Sequence, residues 1–341
     1  MKLSKYILLA LLITFSGCSD DEETANHENS TNDVYVCGYE RDGNIAKYWK
    51  NGESVSITDG TKYAWSNAIT VLKEDVYVAG VESNEEGYLV AKYWKNGVGV
   101  SLNDGKKNAE ANVIVVVGDD VYVAGYEDKD ANVALYWKNK VAIPLTDGTF
   151  EAEATAMTIF GNNVHITGFE ENEANIKVAK YWKNGTAIAL TDGTKAAEAN
   201  AITLAGNDVY IAGYEKNDMG NRVAQYWKNG VATPLTDGTK DAQAVAIAIV
   251  GNNTYVAGYE RNEDGYRVAI YWKNGTPISL TDGKKNAETY AVVVVDDDVY
   301  VTGYENDKNG YSAKYWKNSV AVSVGTGNND SAATGIFIAT K

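Results

Sequence analysis

With 46 acidic against 31 basic side chains, the 341-residue chain carries a formal charge of −15, a surface that repels phosphate backbones and excludes nucleic acid as a partner. Hydrophobic residues at 45% are enough for a core, and 24 Tyr, 8 Trp and 32 Gly against 3 Pro suit strands and turns better than disorder.

At the N-terminus, Lys2 and Lys5 precede an apolar run from Tyr6 to Phe15, followed by Ser16-Gly17-Cys18. This is the order of a secretory signal peptide over residues 1–17, too short to cross a bilayer as a helix. Ser-Gly-Cys resembles a bacterial lipobox, with Phe15 where Leu is usual, and the resemblance implies cleavage before Cys18 and acylation of its thiol. Residues 18–32 are polar and acidic without apolar periodicity, and read as a flexible tether. Ser19-Asp20-Asp21-Glu22-Glu23 is similar to the acidic export tag of Bacteroidetes-type surface lipoproteins. That similarity implies a lipid-anchored outer-membrane protein facing the cell exterior, touching membrane through the lipid alone. With Cys18 acylated, Cys37 has no disulfide partner; Ala79, Ala124, Thr167, Ala212, Ala257 and Thr302 fill its slot elsewhere, so it reads as a small buried residue.

From Asp33 onward the chain repeats. Tyr-Trp-Lys begins at Tyr48, Tyr93, Tyr136, Tyr181, Tyr226, Tyr271 and Tyr315, spaced by 43 to 45 residues, a period of repeat architectures. In one unit Asn200–204 is an apolar run (strand a), 208–215 is β-branched and aromatic (strand b), 222–228 follows a polar loop (strand c), and 231–236 closes the unit (strand d). Asn229-Gly230 between c and d is a strong hairpin signal. Strands b and c carry large groups on both faces, so each sheet must be covered twice. Four-stranded units packed face to face around an axis meet that demand, which predicts an all-β, seven-bladed β-propeller over residues 33–341. The first unit starts at strand b, and 333–339 aligns with strand a with nothing after it, so the last strand should complete the first blade. The Trp-Lys-Asn-Gly repeats resemble those of bacterial extracellular β-propellers, a resemblance that implies no defined substrate. Burial of each Tyr-Trp pair between blades, at about 1.5–3 kcal/mol per side chain, reads them as packing.

Alternating strand direction puts the a–b and c–d turns on one face and the longer, variable b–c and d–a loops on the other, where binding residues concentrate. The loop face gathers Glu40, Glu82, Glu127, Glu170, Glu215, Glu260 and Glu305 at the ends of strand b, and Asp59, Asp104, Asp147, Asp192, Asp237 and Asp282 at the ends of strand d. Both rings read first as structural, through turn capping or pairing with Lys. Glu82–87 and Glu260–265 imitate a calcium loop in part, but lack the leading Asp and the distal Glu, so no metal or other cofactor is expected.

Neither His27 nor His165, which replaces a strand-b Tyr, has a catalytic neighbour in sequence, and no nucleophile elbow or phosphate loop is present, so no catalytic residue is named. Strand a, read as lining the central channel, is uncharged. Paired carboxylates have no local signature, and a carbohydrate-active enzyme (lyase or hydrolase) stays open beside a non-catalytic binding module and a scaffold subunit of an outer-membrane complex. Departures from the repeat point to the site: Tyr63 and Trp65 in the first d–a loop, Phe150 and Tyr290 as comparable exceptions, and Tyr88, Tyr266 and Tyr311 after b–c loops. Aromatic faces suit sugar rings or a protein hot spot. The expected partner is a glycan or a cell-surface protein, bound by a monomer.

Overall fold

Each repeat reverses direction where its turn residues allow a left-handed backbone, and four antiparallel strands result. The computed structural model describes residues 32–40, 44–307, 310–324 and 330–340; the expected signal peptide, Cys18 and the expected tether as far as Thr31 lie outside them. The described residues form 28 strands in seven four-stranded sheets. Six blades take their strands consecutively. The seventh sheet pairs Asp33–Glu40 with Ser331–Ala339, Asp33 opposite Ala339 and Glu40 opposite Ser331, so the C-terminal strand supplies the missing strand a. The fold is a closed seven-bladed β-propeller.

The tight-turn face is nearly invariant because one Asn per blade ties its two turns together. Asn51 takes a left-handed φ of 53°, accepts the Val34 N–H at 2.9 Å and donates to Asp33 at 2.8 Å. Asn96, Asn139, Asn184, Asn229, Asn274 and Asn318 accept from strand b in the same way. The Lys before this Asn lies over a strand-b Tyr in six blades, as Lys95 does over Tyr77 at 5.1 Å.

The core lies between blades. Every Tyr-Trp-Lys tryptophan is at most 3% exposed, and each packs on small residues of the preceding blade. Trp94 covers Cys37 and Ala46, Trp137 covers Ala79 and Ala91, and Trp272 covers Ala212 and Ala224. Trp49 of the first blade closes the circle against Ala313 of the last. The slot of Cys37 must therefore be small. The Cys37 thiol is free of disulfide and fully buried, which pushes its pKa up to about 11. Opposite it in the register stands Gly335, where the other blades have Ala68, Val113, Ala156, Ala201, Ala246 and Ala291; a Cβ on Gly335 would sit 2.9 Å from the Cys37 sulfur.

Strand a is nine residues long and begins at Ala197, three residues before the sequence placed it, while strand d stops at Pro234. A register shift in each strand a leaves one residue bulged, Asn200 in this blade. The bulge presses the Glu198 carbonyl onto strand b at Gly213, where an added Cβ would fall on that oxygen and lie 2.9 Å from Trp227. Gly213→Ala should lower stability by about 1–3 kcal/mol or more, read as a lower midpoint in chemical denaturation. An unchanged midpoint would show that the bulge can relax.

Candidate functional site

The bulge and the longer strand a define the channel mouth on the loop face. The bulged positions are Asn67, Asn112, Thr155, Asn200, Val245, Tyr290 and, in the closing strand, Thr334. Five of them reach a backbone carbonyl of the next blade: Asn67 to Ala111 at 3.1 Å, Asn112 to Ala154 at 3.0 Å, Thr155 to Ala199 at 2.6 Å, Asn200 to Ala244 at 2.8 Å and Thr334 to Ser66 at 2.7 Å. Two residues earlier stand Trp65, Glu110, Glu153, Glu198, Gln243, Glu288 and Ala332. The expectation of an uncharged strand a is therefore corrected: Ala-Glu-Ala segments that looked like loop belong to it, and they bring carboxylates to the channel.

Two of these four carboxylates are matched by a cation entering strand c, and a third cation takes the nearby Asp241. Lys177 pairs with Glu198 at 2.7 Å, Arg267 with Glu288, and Arg222 grips Asp241 with Nε at 3.0 Å and Nη2 at 2.8 Å. Arg222 also donates to Gln243 at 2.9 Å and lies between the Tyr214 and Tyr259 rings. Glu110 and Glu153 have no cation within salt-bridge distance among the described residues. Glu110 instead accepts Trp65 Nε1 at 2.8 Å and Asn67 at 2.8 Å. Glu153 accepts Asn112 at 2.8 Å; burial first, and then the Glu110 charge, push its carboxyl up to about 7.

At the seam, the small residues Ser331, Ala332, Ala333 and Thr334 leave a hollow where four of the other blades project a Glu. A cavity of about 640 Å³ opens there, lined by Tyr39, Asn44, Tyr63, Ala64, Trp65, Asn67, Tyr290 and Thr334. The volume falls in the usual range for ligand sites. Tyr63 is 64% exposed at the rim, while Trp65 lies within strand a, not in the d–a loop, with its indole held from behind by Glu110. Tyr290 packs on Tyr304 at 6.0 Å, and Tyr311 meets the other side of Tyr304 edge-on at 4.7 Å.

Of the aromatic departures, Tyr63, Trp65 and Tyr290 thus share one cavity, and Tyr311 abuts it through Tyr304. Phe150 lines a separate shallow hollow with Asp147, Glu171 and Lys180, and Tyr88 and Tyr266 are 39% exposed after their loops. Sequence reasoning missed Tyr39, Asn44, Asn67 and Thr334. Aligning strand a three residues earlier exposes the signal, since Ala332 then stands in the Glu column.

The two carboxylate rings are occupied structurally. Glu40, Glu82, Glu170 and Glu305 pair with Lys47, Lys92, Lys180 and Lys314 of their own blades. Leu135, Gln225 and Ile270 replace that Lys opposite Glu127, Glu215 and Glu260, whose carboxyls burial and the adjacent Asp104, Asp192 and Asp237 push up. The strand-d aspartates cap their turns, Asp59 accepting Thr61 Oγ1 at 2.6 Å. In the calcium-like loops, Asn84 and Asn262 bond the backbone instead, each accepting a Tyr N–H at 3.0 Å and donating to a Gly carbonyl at 2.7 Å. His165 is buried, its Nδ1 2.6 Å from the Tyr181 hydroxyl, and burial lowers its pKa.

No family model and no curated protein matches the chain. Among solved structures it is similar to the β-propeller domain of the Trilobed protease from Pyrococcus furiosus, with a TM-score of 0.52 at 11% identity over 87% of this chain and 95% of that one. That domain has an open velcro topology, unlike the closed pairing here. It is also similar to a puromycin-hydrolyzing peptidase of Mycobacterium tuberculosis, with a TM-score of 0.50 at 10% identity over 76% of this chain, which spans about half of the peptidase. Fold and site together define a closed seven-bladed propeller with an aromatic cavity at its seam.

Because the Glu153 carboxyl is pushed up, the folded chain holds its proton more tightly than the unfolded chain does. Its contribution to stability is therefore present at low pH and is lost as pH rises from about 4.5 to about 7. Glu153→Gln should match wild type near pH 4 and melt higher near pH 8, by about 1–3 kcal/mol in stability. Parallel melting curves across that window would remove the assignment.

Proposed function

We propose that this chain is a binding module that takes a glycan in the seam cavity without transforming it. The observation that carries this reading is the cavity lining: four aromatic rings, three of them tyrosines, two amides and the Thr334 hydroxyl, with no carboxylate or imidazole among the described lining residues. Aromatic faces stack on the C–H faces of sugar rings, amides meet their hydroxyls, and the arrangement offers no acid–base pair across a bond. The lipobox resemblance at Cys18 and the acidic run after it support a lipoprotein displayed on the exterior of the outer membrane. The cavity fits that setting, since it opens on the loop face, away from the tight turns.

One observation favours the enzyme reading: Glu153, with its carboxyl near neutrality, shares the channel mouth with Glu110. The similar structures share only the fold and favour neither reading. A glycan array and calorimetry on the purified chain separate the possibilities. Binding should fall at least about tenfold for Trp65→Ala and several-fold for Tyr63→Ala, the latter with an unchanged melting temperature because Tyr63 is exposed. Silence on every glycan would shift the reading to a protein partner, and products released from polysaccharide mixtures would overturn the non-catalytic assignment.

A further inference from the structure

The polar groups of the seam cavity are not equivalent, and their bonding states restrict what a ligand can present. Asn67 spends both amide hydrogens behind the cavity wall, on Glu110 at 2.8 Å and on the Ala111 carbonyl at 3.1 Å. The carbonyl oxygen of its amide is what remains for a ligand, an acceptor that asks for a hydroxyl or another donor. Trp65 likewise spends its indole N–H on Glu110. Of the three lining side chains with N–H groups, Trp65 and Asn67, which stand side by side on strand a, thus have theirs turned onto Glu110 and the Ala111 carbonyl, and Asn44 lies on the neighbouring blade. Behind them Glu110 has no cation within salt-bridge distance among the described residues, and Glu153 is the next carboxylate along the channel. Among the described residues, the cations of the mouth, Lys177, Arg222 and Arg267, belong to other blades and are paired with Glu198, Asp241 and Glu288.

We infer that the cavity takes uncharged sugar residues and turns acidic ones away, with Asn67 and Glu110 setting that choice. The inference rests on the glycan reading of the cavity. A uronate or sialate carboxylate seated against Trp65 and Asn67 would face an acceptor oxygen backed by a negative charge, and like charges held together at an interface cost several kcal/mol. A neutral hexose meets the same surface with hydroxyl donors.

The repeat supplies its own conservative variants. Gln243 occupies the Glu110 column, so Glu110→Gln keeps the shape and removes the charge. Thr155 and Thr334 occupy the Asn67 column and keep the inter-blade bond, so Asn67→Thr replaces the amide oxygen by a shorter hydroxyl drawn back toward the next blade, without opening the ring.

The test is calorimetric titration of the purified chain and both variants with matched tetrasaccharides: glucose against glucuronate, mannose against mannuronate, galactose against galacturonate. For the pair whose neutral member binds, the acidic member should bind at least about tenfold more weakly. Glu110→Gln should close most of that gap while leaving the neutral affinity within about twofold, and Asn67→Thr should weaken the neutral sugar about tenfold with an unchanged melting temperature. Equal or tighter binding of an acidic member, or an undiminished gap in Glu110→Gln, overturns the inference and leaves the glycan reading standing. Binding that persists in Trp65→Ala, or no binding of any sugar, overturns the reading and the inference with it.

Discussion

The structure depends on one contact made seven times: a tryptophan of strand c lying flat on the small residues of the blade before it. Because each ring is at most 3% exposed, the indole fixes blade spacing and orientation together. The strand-b slot beneath it must stay small, which explains why Cys37, Ala79 and Thr167 share it. Large and small faces alternate around the circle, and closure follows when Trp49 finds Ala313. Stability is thus spread over interfaces, not gathered into one centre.

That distribution leaves the channel mouth free to vary. The tight-turn face is bound to itself through Asn51 and its equivalents, so a change there would break two turns at once. On the loop face, the aspartates at the end of strand d satisfy their own turns, and the strand-b glutamates mostly find a lysine in the same blade. What remains unassigned is the inner column of strand a, where each side chain answers to the neighbouring blades. Substitution of Glu by Trp65 and by Ala332, and of Asn by Tyr290, makes a hollow without disturbing any tryptophan contact.

The fold was legible because its signals are local and repeated: an Asn-Gly turn after five of the seven Tyr-Trp-Lys copies, a first unit without strand a and a last strand a without a unit. The start of strand a was not, because Ala197, Glu198 and Ala199 have little intrinsic preference for strands and are held there by pairing with Glu215, Tyr214 and Gly213. Trp65 and Tyr290 stood out as departures, but nothing in the sequence said that they meet, since they are 225 positions apart and adjoin only across the closure. Tyr39 was hidden for the opposite reason, since Tyr126, Tyr214, Tyr259 and Tyr304 hold the same place in other blades. Only the smallness of Ala332 beside it makes that tyrosine part of a cavity wall.

The pairing of Cys37 with Gly335 has a consequence for how the ring finds its own end. Strands a of the seven blades are similar enough that several could compete for the open edge of 33–40 while the chain folds. Six of them carry Ala or Val opposite the Cys37 position, and the Cβ of any of these would press on its sulfur. The terminal strand alone brings glycine to that point. A thiol and a missing methyl therefore fit one another at the pair of strands that joins the two ends of the ring.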